Sequence, residues 1–336
     1  MNFYLIGIDY KNTCLDIREE AFRLRKQIAG FWERFSGSCA AVFSTCNRLE
    51  IYLADRDADR LTRRLCLFHN SFTPLFKDAY LVTGEKEIFS HFLRVATGLE
   101  SQLRGEPQIL QQLEFWRSRN TLPEELDRIT QEALVAAAQI RGDTGLNVRA
   151  YDLADIILED IRSEFASGQI RVIIAGTGKI AEAFSRKETS GIKLIFAAHK
   201  NYSRAKDLAA QSGTQAVSLK EIPCLLSEAQ VLISATSSPH FVFWKRDFRA
   251  AGARDKKLFL YDLAFPRDIE PQATDTPAIV LKTPADLEEA FRRNNLRLRR
   301  ELSLAEYLVR QALEEKLDAG EFKDRNAAEP AGLKAG

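Results

Sequence analysis

The chain has 336 residues, of which 45% are hydrophobic and 28% are charged, so it can bury a core and form more than one domain. Its net charge of +1 excludes a basic field over the whole molecule, so any nucleic-acid contact must come from local patches. The apolar run at residues 3–8 is too short for a secretion signal. Five cysteines without metal-ligand spacing favour free thiols, and we expect a cytoplasmic protein without a metal site.

The first half of the chain has an α+β pattern. Three strand-like runs cover residues 1–10, 39–44 and 49–53. A helix is predicted at residues 16–26, and the resulting β-α-β-β order is typical of half of a split βαβ sandwich. Mostly helical sequence follows over residues 86–141, and a further helix is predicted at 150–165.

The second half begins with a continuous apolar run at residues 169–175, as expected of a parallel strand buried on both faces. Four more strand-like runs alternate with helices or loops: LIFAAHK, VLISATS, LFLYDLA and AIVLK. This alternation predicts a doubly wound, Rossmann-like α/β domain.

One long helix is predicted after this domain, with Thr283 as the N-cap and Pro284 at the first helical position. Residues at spacings of four and three would form a seam for a partner helix. The seam consists of Phe291, Asn295, Leu298, Leu302, Ala305, Val309 and Ala312. From residue 319 onward the composition predicts a disordered tail.

A glycine-rich motif, G-x-G-x-x-A, lies between the first strand of the second half and a helix. In that context the glycines let backbone amides approach a pyrophosphate, which predicts dinucleotide binding; the alternative is a Rossmann-like domain that has lost its cofactor. The motif comprises Gly176, Thr177, Gly178, Lys179, Ile180 and Ala181.

The residues after the next strand favour NADPH over NADH. An NAD site usually has an acidic residue there, whereas this chain has His199 and Lys200, with Arg204 nearby. A cationic side chain would attract a 2′-phosphate. Lys200 could also be a solvated loop lysine.

Cys46 is the cysteine whose surroundings suggest chemistry. Cys39, Cys66 and Cys224 lie in apolar sequence typical of core packing, whereas the neighbours of Cys46 are polar and include Arg48. A nearby cation tends to lower the pKa of a thiol and make it reactive. A nucleotide domain together with a reactive thiol suggests a thioester that is reduced by hydride.

Four stretches resemble the glutamyl-tRNA reductase family: STCNRLEIY, HFLRVATGLESQLRGEPQILQQ, the glycine-rich unit and YDLAFPRDI. The resemblance covers nearly the whole chain. It implies an NADPH-dependent enzyme that reduces glutamyl-tRNA to glutamate-1-semialdehyde, the first step of tetrapyrrole (porphyrin and haem) biosynthesis. It also implies glutamyl-tRNA as the substrate and the downstream aminotransferase as a partner.

The resemblance assigns roles to individual residues. Cys46 matches the nucleophile, His91 matches a histidine important for activity, and Gly176 to Ala181 match the phosphate loop. Arg48 would hold the glutamyl carboxylate in a bidentate manner. Without the family resemblance, a lone histidine in a helix such as His91 is more often a structural residue. The residues that match the substrate site are Thr45, Asn47, Arg48, Ser101, Glu106, Pro107, Gln108 and Gln112.

This chain also departs from the family's pattern. The usual Asn-His-Lys-Thr-Ala-Pro is replaced by residues 9–14, DYKNTC, and Arg104 stands at a normally apolar position. The family's helical dimerisation region continues beyond the long helix, so we expect a homodimer weakened by a short C-terminal region.

The expected fold class is a multi-domain combination of α+β and α/β. Its parts are a catalytic and substrate domain (1–148), an NADPH-binding Rossmann domain (149–282), the long helix (283–318) and a tail (319–336). Two alternative functions remain: a shikimate-type NADP-dependent dehydrogenase, which has no use for the Cys46 thiol, and a non-catalytic tRNA-binding relative.

Overall fold

The computed structural model describes residues 1–35, 39–165, 168–249 and 256–322. The chain forms two compact units, of which the second is Asp152–Arg293 and the first combines Met1–Tyr151 with the residues from Asn294 onward. The first unit is α+β and the second is α/β with a parallel sheet. The predicted fold class is therefore confirmed.

The first unit contains an antiparallel sheet with strand order β2-β3-β1-β4. In chain order its elements are β1 (Asn2–Asp9), α1 (Leu15–Glu33), β2 (Cys39–Ser44), β3 (Arg48–Asp55), α2 (Ala58–Phe76), β4 (Tyr80–Thr83), α3 (Glu85–Thr97), α4 (Gln108–Arg119), α5 (Glu124–Thr144) and α6 (Leu146–Arg149). Helix α2 and strand β4 lie outside the elements that the sequence pattern predicted.

Both faces of this sheet are covered by helices. In β1, Phe3 and Leu5 pack with α3, α4 and α5, whereas Tyr4 and Ile6 point to the opposite face and pack with α1 and α2. Successive side chains of a strand alternate between faces, so a strand covered on both sides is apolar at every position. The ends of β1 and β3 are thereby fixed on a rigid support.

The second unit is a doubly wound parallel sheet with strand order β10-β9-β8-β5-β6-β7. Its elements are α7 (Leu153–Glu164), β5 (Ile170–Ala175), α8 (Lys179–Ser185), β6 (Ile192–Ala198), α9 (Tyr202–Gln211), β7 (Gln215–Ser218), α10 (Ile222–Leu225), β8 (Val231–Ser234), β9 (Leu258–Asp262) and β10 (Ile279–Lys282). Strands β5 and β8 are neighbours at the point where the strand order reverses. In such sheets the ligand crevice lies outside the carboxyl ends of the strands at this point.

The predicted long helix is divided in the structure. Thr283 and Asp286 form a capping box before a short 3-10 turn, and two helices follow: α11 (Glu288–Arg297) and α12 (Arg299–Asp318). Leu298 separates them, with φ −90° and ψ 12°. The tail prediction falls, from residue 323 onward, outside the described residues.

The apolar seam of this region packs within its own unit, so the prediction that it serves a partner helix is wrong. Leu298, Leu302, Ala305 and Val309 are buried in one core with α3 and α5. Their side chains complete the helical layer on one face of the antiparallel sheet.

None of the helices in the described part of the chain is both long and apolar enough to cross a membrane.

Candidate active site

Cys46 lies in the hairpin loop that joins β2 to β3. The Thr45 amide donates to the Arg48 carbonyl oxygen at 2.9 Å, and the Asn47 amide donates to Thr45 Oγ1 at 3.2 Å. These bonds close the loop and leave Cys46 exposed. A substrate can therefore reach the thiol from solvent.

The connection between β1 and α1 supports this loop from one side. The Tyr10 amide donates to the Asn47 carbonyl oxygen at 2.9 Å. Arg18 of α1 donates from Nε to the Cys46 carbonyl oxygen at 3.4 Å and from Nη1 to the Thr13 carbonyl oxygen at 2.6 Å. Arg18 is thus the cation in direct contact with the backbone of Cys46.

Arg48 joins the Cys46 loop to the segment that follows α3. Its Nη1 donates to Glu50 Oε1 at 2.8 Å, its Nη2 donates to the Glu100 carbonyl oxygen, and its side chain is only 2% exposed. Burial disfavours its charge, but the Glu50 carboxylate outweighs this and raises the pKa of Arg48. Bidentate binding of a substrate carboxylate would require these bonds to break.

Glu50 is the centre of a buried polar cluster next to this loop. Tyr52 donates to its Oε2 at 2.7 Å, Tyr80 donates to its Oε1 at 2.6 Å, and His91 Nε2 lies 2.9 Å from Oε1. Burial opposes ionisation, but the charges of His91 and Arg48 and these hydrogen bonds hold the pKa of Glu50 well below its ordinary value. His91, on α3, is 18% exposed and contacts this cluster through Glu50 and through the ring of Tyr80.

Ser101 and Glu106 lie on the loop between α3 and α4, which Arg141 holds in place. The fully buried Arg141 of α5 donates to the Thr97 carbonyl oxygen at 2.8 Å and to the Gly105 carbonyl oxygen at 3.0 Å, at the two ends of the loop. Burial raises the pKa of Glu106, and a hydrogen bond from Ser101 partly offsets this. Glu106 is partly exposed and Ser101 is buried.

The loop between α3 and α4 also contacts the terminal helix. Arg104 pairs with Glu306 of α12, and its amide donates to Asn295 Oδ1 at 3.3 Å. A side chain at Gly105, which has φ +78°, would meet Leu146 Cδ2 at 3.0 Å. Arg104, at a position where the family is usually apolar, therefore has an ion-pair partner in this chain.

The remaining residues that were predicted for the substrate site lie at the start of α4. Pro107 precedes the helix, Gln108 begins it, and Gln112 follows one turn later on the same side; all three are partly exposed. Within the described residues no hydrogen bond links them to the Cys46 loop.

The environment of Cys46 does not favour a thiolate in the unliganded protein. Although its side chain is open to solvent on one side, surrounding protein atoms desolvate it, and together with the Glu106 charge they raise the pKa of its thiol to about 11. Arg18, and less so Arg48, act in the opposite direction. Arg48 thus lowers this pKa as predicted, but desolvation and the Glu106 charge outweigh it, so the net shift is upward.

Two other expectations about cysteines also fail. Cys66 and Cys224 are exposed rather than part of the core. Cys39 begins β2, but its side chain lies outside the described residues.

The glycine-rich loop of the second unit leaves β5 as predicted and leads into α8. Gly176 has φ +115°, and a Cβ there would lie 2.5 Å from the Ala235 carbonyl oxygen, so no larger residue fits. At Gly178 a Cβ would meet nothing within 4 Å. The loop thus packs closely against the end of β8 while its second glycine faces open space.

A buried carboxylate holds the segment against which this loop packs. Asp268 accepts hydrogen bonds from Ser234 Oγ at 2.6 Å, from Thr236 Oγ1 at 2.7 Å and from the Thr236 amide at 2.9 Å. Burial raises the pKa of Asp268, and these bonds partly offset the rise. Asp268 belongs to the YDLAFPRDI stretch, and its role is to fix the wall of the nucleotide crevice.

His199 and Lys200 follow β6 and are exposed. No hydrogen bond or ion pair occupies either side chain among the described residues. Arg204 lies 3.7 Å from Glu182 Oε1, so its charge is partly compensated. Lys200 is therefore a cation whose charge no described residue compensates.

Sequence reasoning missed Arg18, Glu50, Arg141 and Asp268. Arg141 carries a detectable signal, because it shares a helix face with the buried Ala133 and Ala137, and a charge on an apolar face requires partners. Arg18 carries no such local signal: its contact with Cys46 spans 28 positions in sequence.

Two models of known protein families match successive parts of this chain. Residues 6–144 match the family model "Glutamyl-tRNAGlu reductase, N-terminal domain", and residues 157–290 match the model "Shikimate / quinate 5-dehydrogenase". The second match lies wholly within the second unit.

Relatives extend over nearly the whole chain. Glutamyl-tRNA reductase from Alkalilimnicola ehrlichii is 31% identical over 330 residues, covering 94% of this chain and 74% of that protein. The enzyme from Alcanivorax borkumensis is 32% identical over 327 residues, covering 93% and 78%. Among solved structures, glutamyl-tRNA reductase from Methanopyrus kandleri is 27% identical, with a TM-score of 0.47, covering 95% of this chain and 81% of that one.

Proposed function

This chain belongs to the glutamyl-tRNA reductase family, and from that premise we propose that Cys46 is the nucleophile of the family's reaction, the NADPH-dependent reduction of glutamyl-tRNA to glutamate-1-semialdehyde. This reaction is the first step of tetrapyrrole biosynthesis. The observation that carries the assignment is an exposed thiol in a loop held by two arginines. The Arg18 side chain donates to the Cys46 carbonyl oxygen, and the Arg48 carbonyl oxygen accepts the hydrogen bond from the Thr45 amide that closes the hairpin.

The first step is acyl transfer to the Cys46 sulfur. The sulfur attacks the ester carbonyl carbon, a carbon–sulfur bond forms, and the bond to the ribose oxygen of the tRNA breaks. The thiol gives up its proton and the departing ribose oxygen gains one, so the step is neutral overall. Because the pKa of the free thiol is about 11, deprotonation has to accompany substrate binding rather than precede it.

Residues on both sides of Cys46 are suited to hold the glutamyl group. Glu106 is the acid whose charge acts most strongly on the thiol, and it can bind the α-ammonium group with Ser101 beside it. Thr45 and Asn47 flank the thiol in the loop. Pro107, Gln108 and Gln112 form a more distant wall at the start of α4, for the remainder of the aminoacyl end.

Arg48 and His91 act as positioning residues in this proposal. Arg48 ties the Cys46 loop to the backbone of Glu100, and His91 supports the same arrangement through Glu50. Neither side chain needs to touch the substrate. Their loss would displace the thiol from the residues that bind the glutamyl group.

The second unit fits a bound NADPH. Gly176 allows close packing of the loop, the open space at Gly178 leaves room for a pyrophosphate, and Lys200 is placed for a 2′-phosphate. Thr177, Lys179, Ile180 and Ala181 complete the loop, and His199 lies next to Lys200. Bound by these residues, NADPH would supply the hydride that reduces the thioester carbonyl carbon. The carbon–sulfur bond then breaks, the aldehyde leaves, and Cys46 takes up a proton to regenerate the thiol.

A thioester suits this chemistry because sulfur donates little resonance to the carbonyl, so the carbon accepts hydride more readily than an ester carbon does. A shikimate-type dehydrogenase, the first alternative, would not use the Cys46 thiol in its reaction. A non-catalytic tRNA-binding relative would bind glutamyl-tRNA without consuming NADPH. Incubation with glutamyl-tRNA and NADPH, followed by detection of the semialdehyde, distinguishes the three.

We also propose a partner protein, a cellular location and an oligomeric state. The product is a reactive aldehyde, so direct transfer to the aminotransferase that consumes it would protect it from side reactions. We place the enzyme in the cytoplasm because its cysteines with described side chains are free thiols. We propose a weak homodimer, since the exposed side of the C-terminal region retains Leu296, Leu304 and Tyr307.

A further inference from the structure

Asp262, the last residue of β9, holds the segment that follows it. Its side chain is 1% exposed, and its Oδ1 accepts hydrogen bonds from the Ala264 and Asp268 amides, both at 3.2 Å. Its Oδ2 accepts from the Ile269 amide at 2.8 Å. A carboxylate accepts at both oxygens, so it can satisfy three backbone donors at once. The Asp262 carboxylate therefore fixes the path of residues 263–269.

Residues 263–269 in turn support the backbone that follows β8. The Asp268 carbonyl oxygen accepts from the Val242 amide at 2.7 Å and from the Phe243 amide at 3.0 Å. The segments that leave the carboxyl ends of β8 and β9 are thus joined by hydrogen bonds into one wall. Asp262 anchors this wall to the sheet, because it is itself part of β9.

The position of this wall in the sheet relates it to the nicotinamide end of the cofactor. The glycine-rich loop follows β5, and Lys200, which we assign to the 2′-phosphate of the adenosine half, follows β6. Strand β8 is the neighbour of β5 on the side opposite β6, and β9 lies beyond β8. A dinucleotide binds across the crevice with its pyrophosphate in the middle, so an adenosine end at β6 directs the nicotinamide end towards β8 and β9.

We propose that Asp262 is a positioning residue for hydride transfer, because its carboxylate holds residues 263–269 in the shape that supports the nicotinamide ring. The inference rests on the proposed function and adds the residue that orients the hydride donor. Asp262 acts through this segment, since its own side chain is buried. An Asn at this position would offer one acceptor oxygen and an amino group, so at least one of the three amides would lose its bond.

The surroundings of Asp262 make this hold depend on pH. Burial and the charge of Asp268 raise the pKa of Asp262 to about 7, although its amide donors act in the opposite direction. A protonated carboxyl oxygen donates a hydrogen bond instead of accepting one, so the hold weakens as the pH falls through this value. Further charged or titratable side chains on the neighbouring elements are Arg267 in the same segment, His240 after β8, and Tyr261 and Lys282, which both bond to Asp160 of α7.

Two binding measurements report separately on the two halves of the cofactor. The fluorescence of the dihydronicotinamide ring in bound NADPH reports on the wall, and the affinity for 2′,5′-ADP, which lacks nicotinamide, reports on the adenosine half. The variant is Asp262→Asn, and the control is Asp275→Asn, an exposed carboxylate in the same unit that pairs with Lys245. We expect Asp262→Asn to lose most of the fluorescence change on binding, while its affinity for 2′,5′-ADP changes by less than about twofold. Asp275→Asn should match the wild type in both.

Hydride transfer is then measured in a single turnover, beside the hydrolysis of glutamyl-tRNA without NADPH, which reports on acyl transfer alone. Asp262→Asn should lower the rate of reduction by about ten- to a hundredfold, because a displaced nicotinamide ring lies outside the reactive geometry. Hydrolysis should stay within about twofold of the wild type.

An equal loss of reduction and hydrolysis in folded Asp262→Asn, or an unchanged fluorescence signal, would overturn the inference. A wild type that binds NADPH but reduces no glutamyl-tRNA would count against the proposed function instead, and the fluorescence measurement would still test the role of Asp262. A wild type that binds no NADPH would refute both.

The pH dependence of the wild type gives a test that needs no substitution at Asp262. The fluorescence change on NADPH binding should decline between pH 8 and pH 6 with a midpoint near 7, as Asp262 takes up its proton. The decline should be absent in Asp262→Asn and retained in His240→Gln, which removes the exposed imidazole after β8. A signal that stays constant over this range in the wild type would show that the ionised carboxylate does not hold the wall, and the inference would fall.

Discussion

The Arg48 guanidinium and the Glu50 carboxylate form an ion pair of 2.8 Å in which both side chains are almost completely buried. The two residues lie on the same face of β3, just after the loop that carries Cys46. A buried ion pair adds little net stability, but the removal of one member leaves the other charge without compensation. The shape of the Cys46 loop therefore depends on Glu50, a buried residue behind the loop.

Replacement of Glu50 by Gln should cost about 3–5 kcal/mol of unfolding free energy, because the buried Arg48 loses its counter-charge. The folded state holds the pKa of Glu50 below its ordinary value, so its contribution is complete above the unfolded pKa, about 4.3, and declines as pH falls further. Urea unfolding at pH 7, 5 and 3 should show a constant gap between wild type and variant at pH 7 and 5, and a smaller gap at pH 3.

The matched control is Glu20→Gln on the exposed side of α1, which should change stability by less than about 0.5 kcal/mol. A gap for Glu50→Gln that does not shrink in acid would contradict the ionised state that we assign to Glu50.

Cys46→Ser should lower the rate of glutamyl-tRNA reduction at least about a thousandfold while the thermal unfolding midpoint stays close to that of the wild type. The loss follows from the removal of the nucleophile, and the exposed position explains the unchanged stability. Cys66→Ser and Cys39→Ser serve as controls and should keep activity. A Cys46→Ser enzyme within tenfold of wild type would rule out the thioester.

Gly178→Asp should separate acyl transfer from reduction. The space around Gly178 admits a side chain, but the new carboxylate would repel a pyrophosphate. Without NADPH, water should slowly discharge the Cys46 thioester, so the wild type acts as a weak esterase on glutamyl-tRNA. We expect the variant to keep this activity and to lose reduction, and a folded variant lacking both would argue against separate sites.

Lys200→Asp should raise the KM for NADPH about ten- to a hundredfold and that for NADH little, because a single charge-assisted contact to the 2′-phosphate is lost. The matched change Lys206→Asp on α9 should leave both values near those of the wild type. Equal effects of Lys200→Asp on the two cofactors would assign the preference to His199 or Arg204.

Sedimentation velocity over a hundredfold dilution should show a mass that falls towards 38.0 kDa at low micromolar protein. Burial of an exposed Leu contributes about 1.5–3 kcal/mol, whereas association costs about 4–15 kcal/mol. Leu304→Asp and Tyr307→Asp should weaken any dimer, while Leu302→Asp should unfold the first unit because Leu302 is buried. A mass fixed at twice 38.0 kDa down to nanomolar protein would refute the weak association.

Local patterns in the sequence were sufficient for much of the fold. The apolar strands of the second half and the glycine motif after β5 were predicted correctly, since their signals depend on burial and turn geometry within a few residues. β7 was missed because Gln215–Ser218 is short and only partly apolar. The sequence identified the TCNR loop, but it did not predict that the pKa of the Cys46 thiol is raised.

The errors share a physical cause, which is competition between contacts that are distant in sequence. Arg48 lowers the pKa of the Cys46 thiol as its proximity along the chain predicts, but desolvation by the surrounding protein and the charge of Glu106, 60 positions away, raise the pKa by more. The helical seam of residues 298–309 has the spacing of an intermolecular contact, and only the folded first unit shows that α3 and α5 occupy it. Spacing identifies an apolar face but not its partner.

The discontinuous first unit has a consequence for biosynthesis. A ribosome releases residues 1–151 long before it makes α12, because the whole of the second unit is translated in between. Until then the core positions that Leu298, Leu302 and Val309 will fill are open, and Arg104 on the loop between α3 and α4 lacks Glu306. The nascent enzyme therefore passes through a state with a finished nucleotide-binding unit but an incomplete catalytic one, which exposes apolar surface to chaperones.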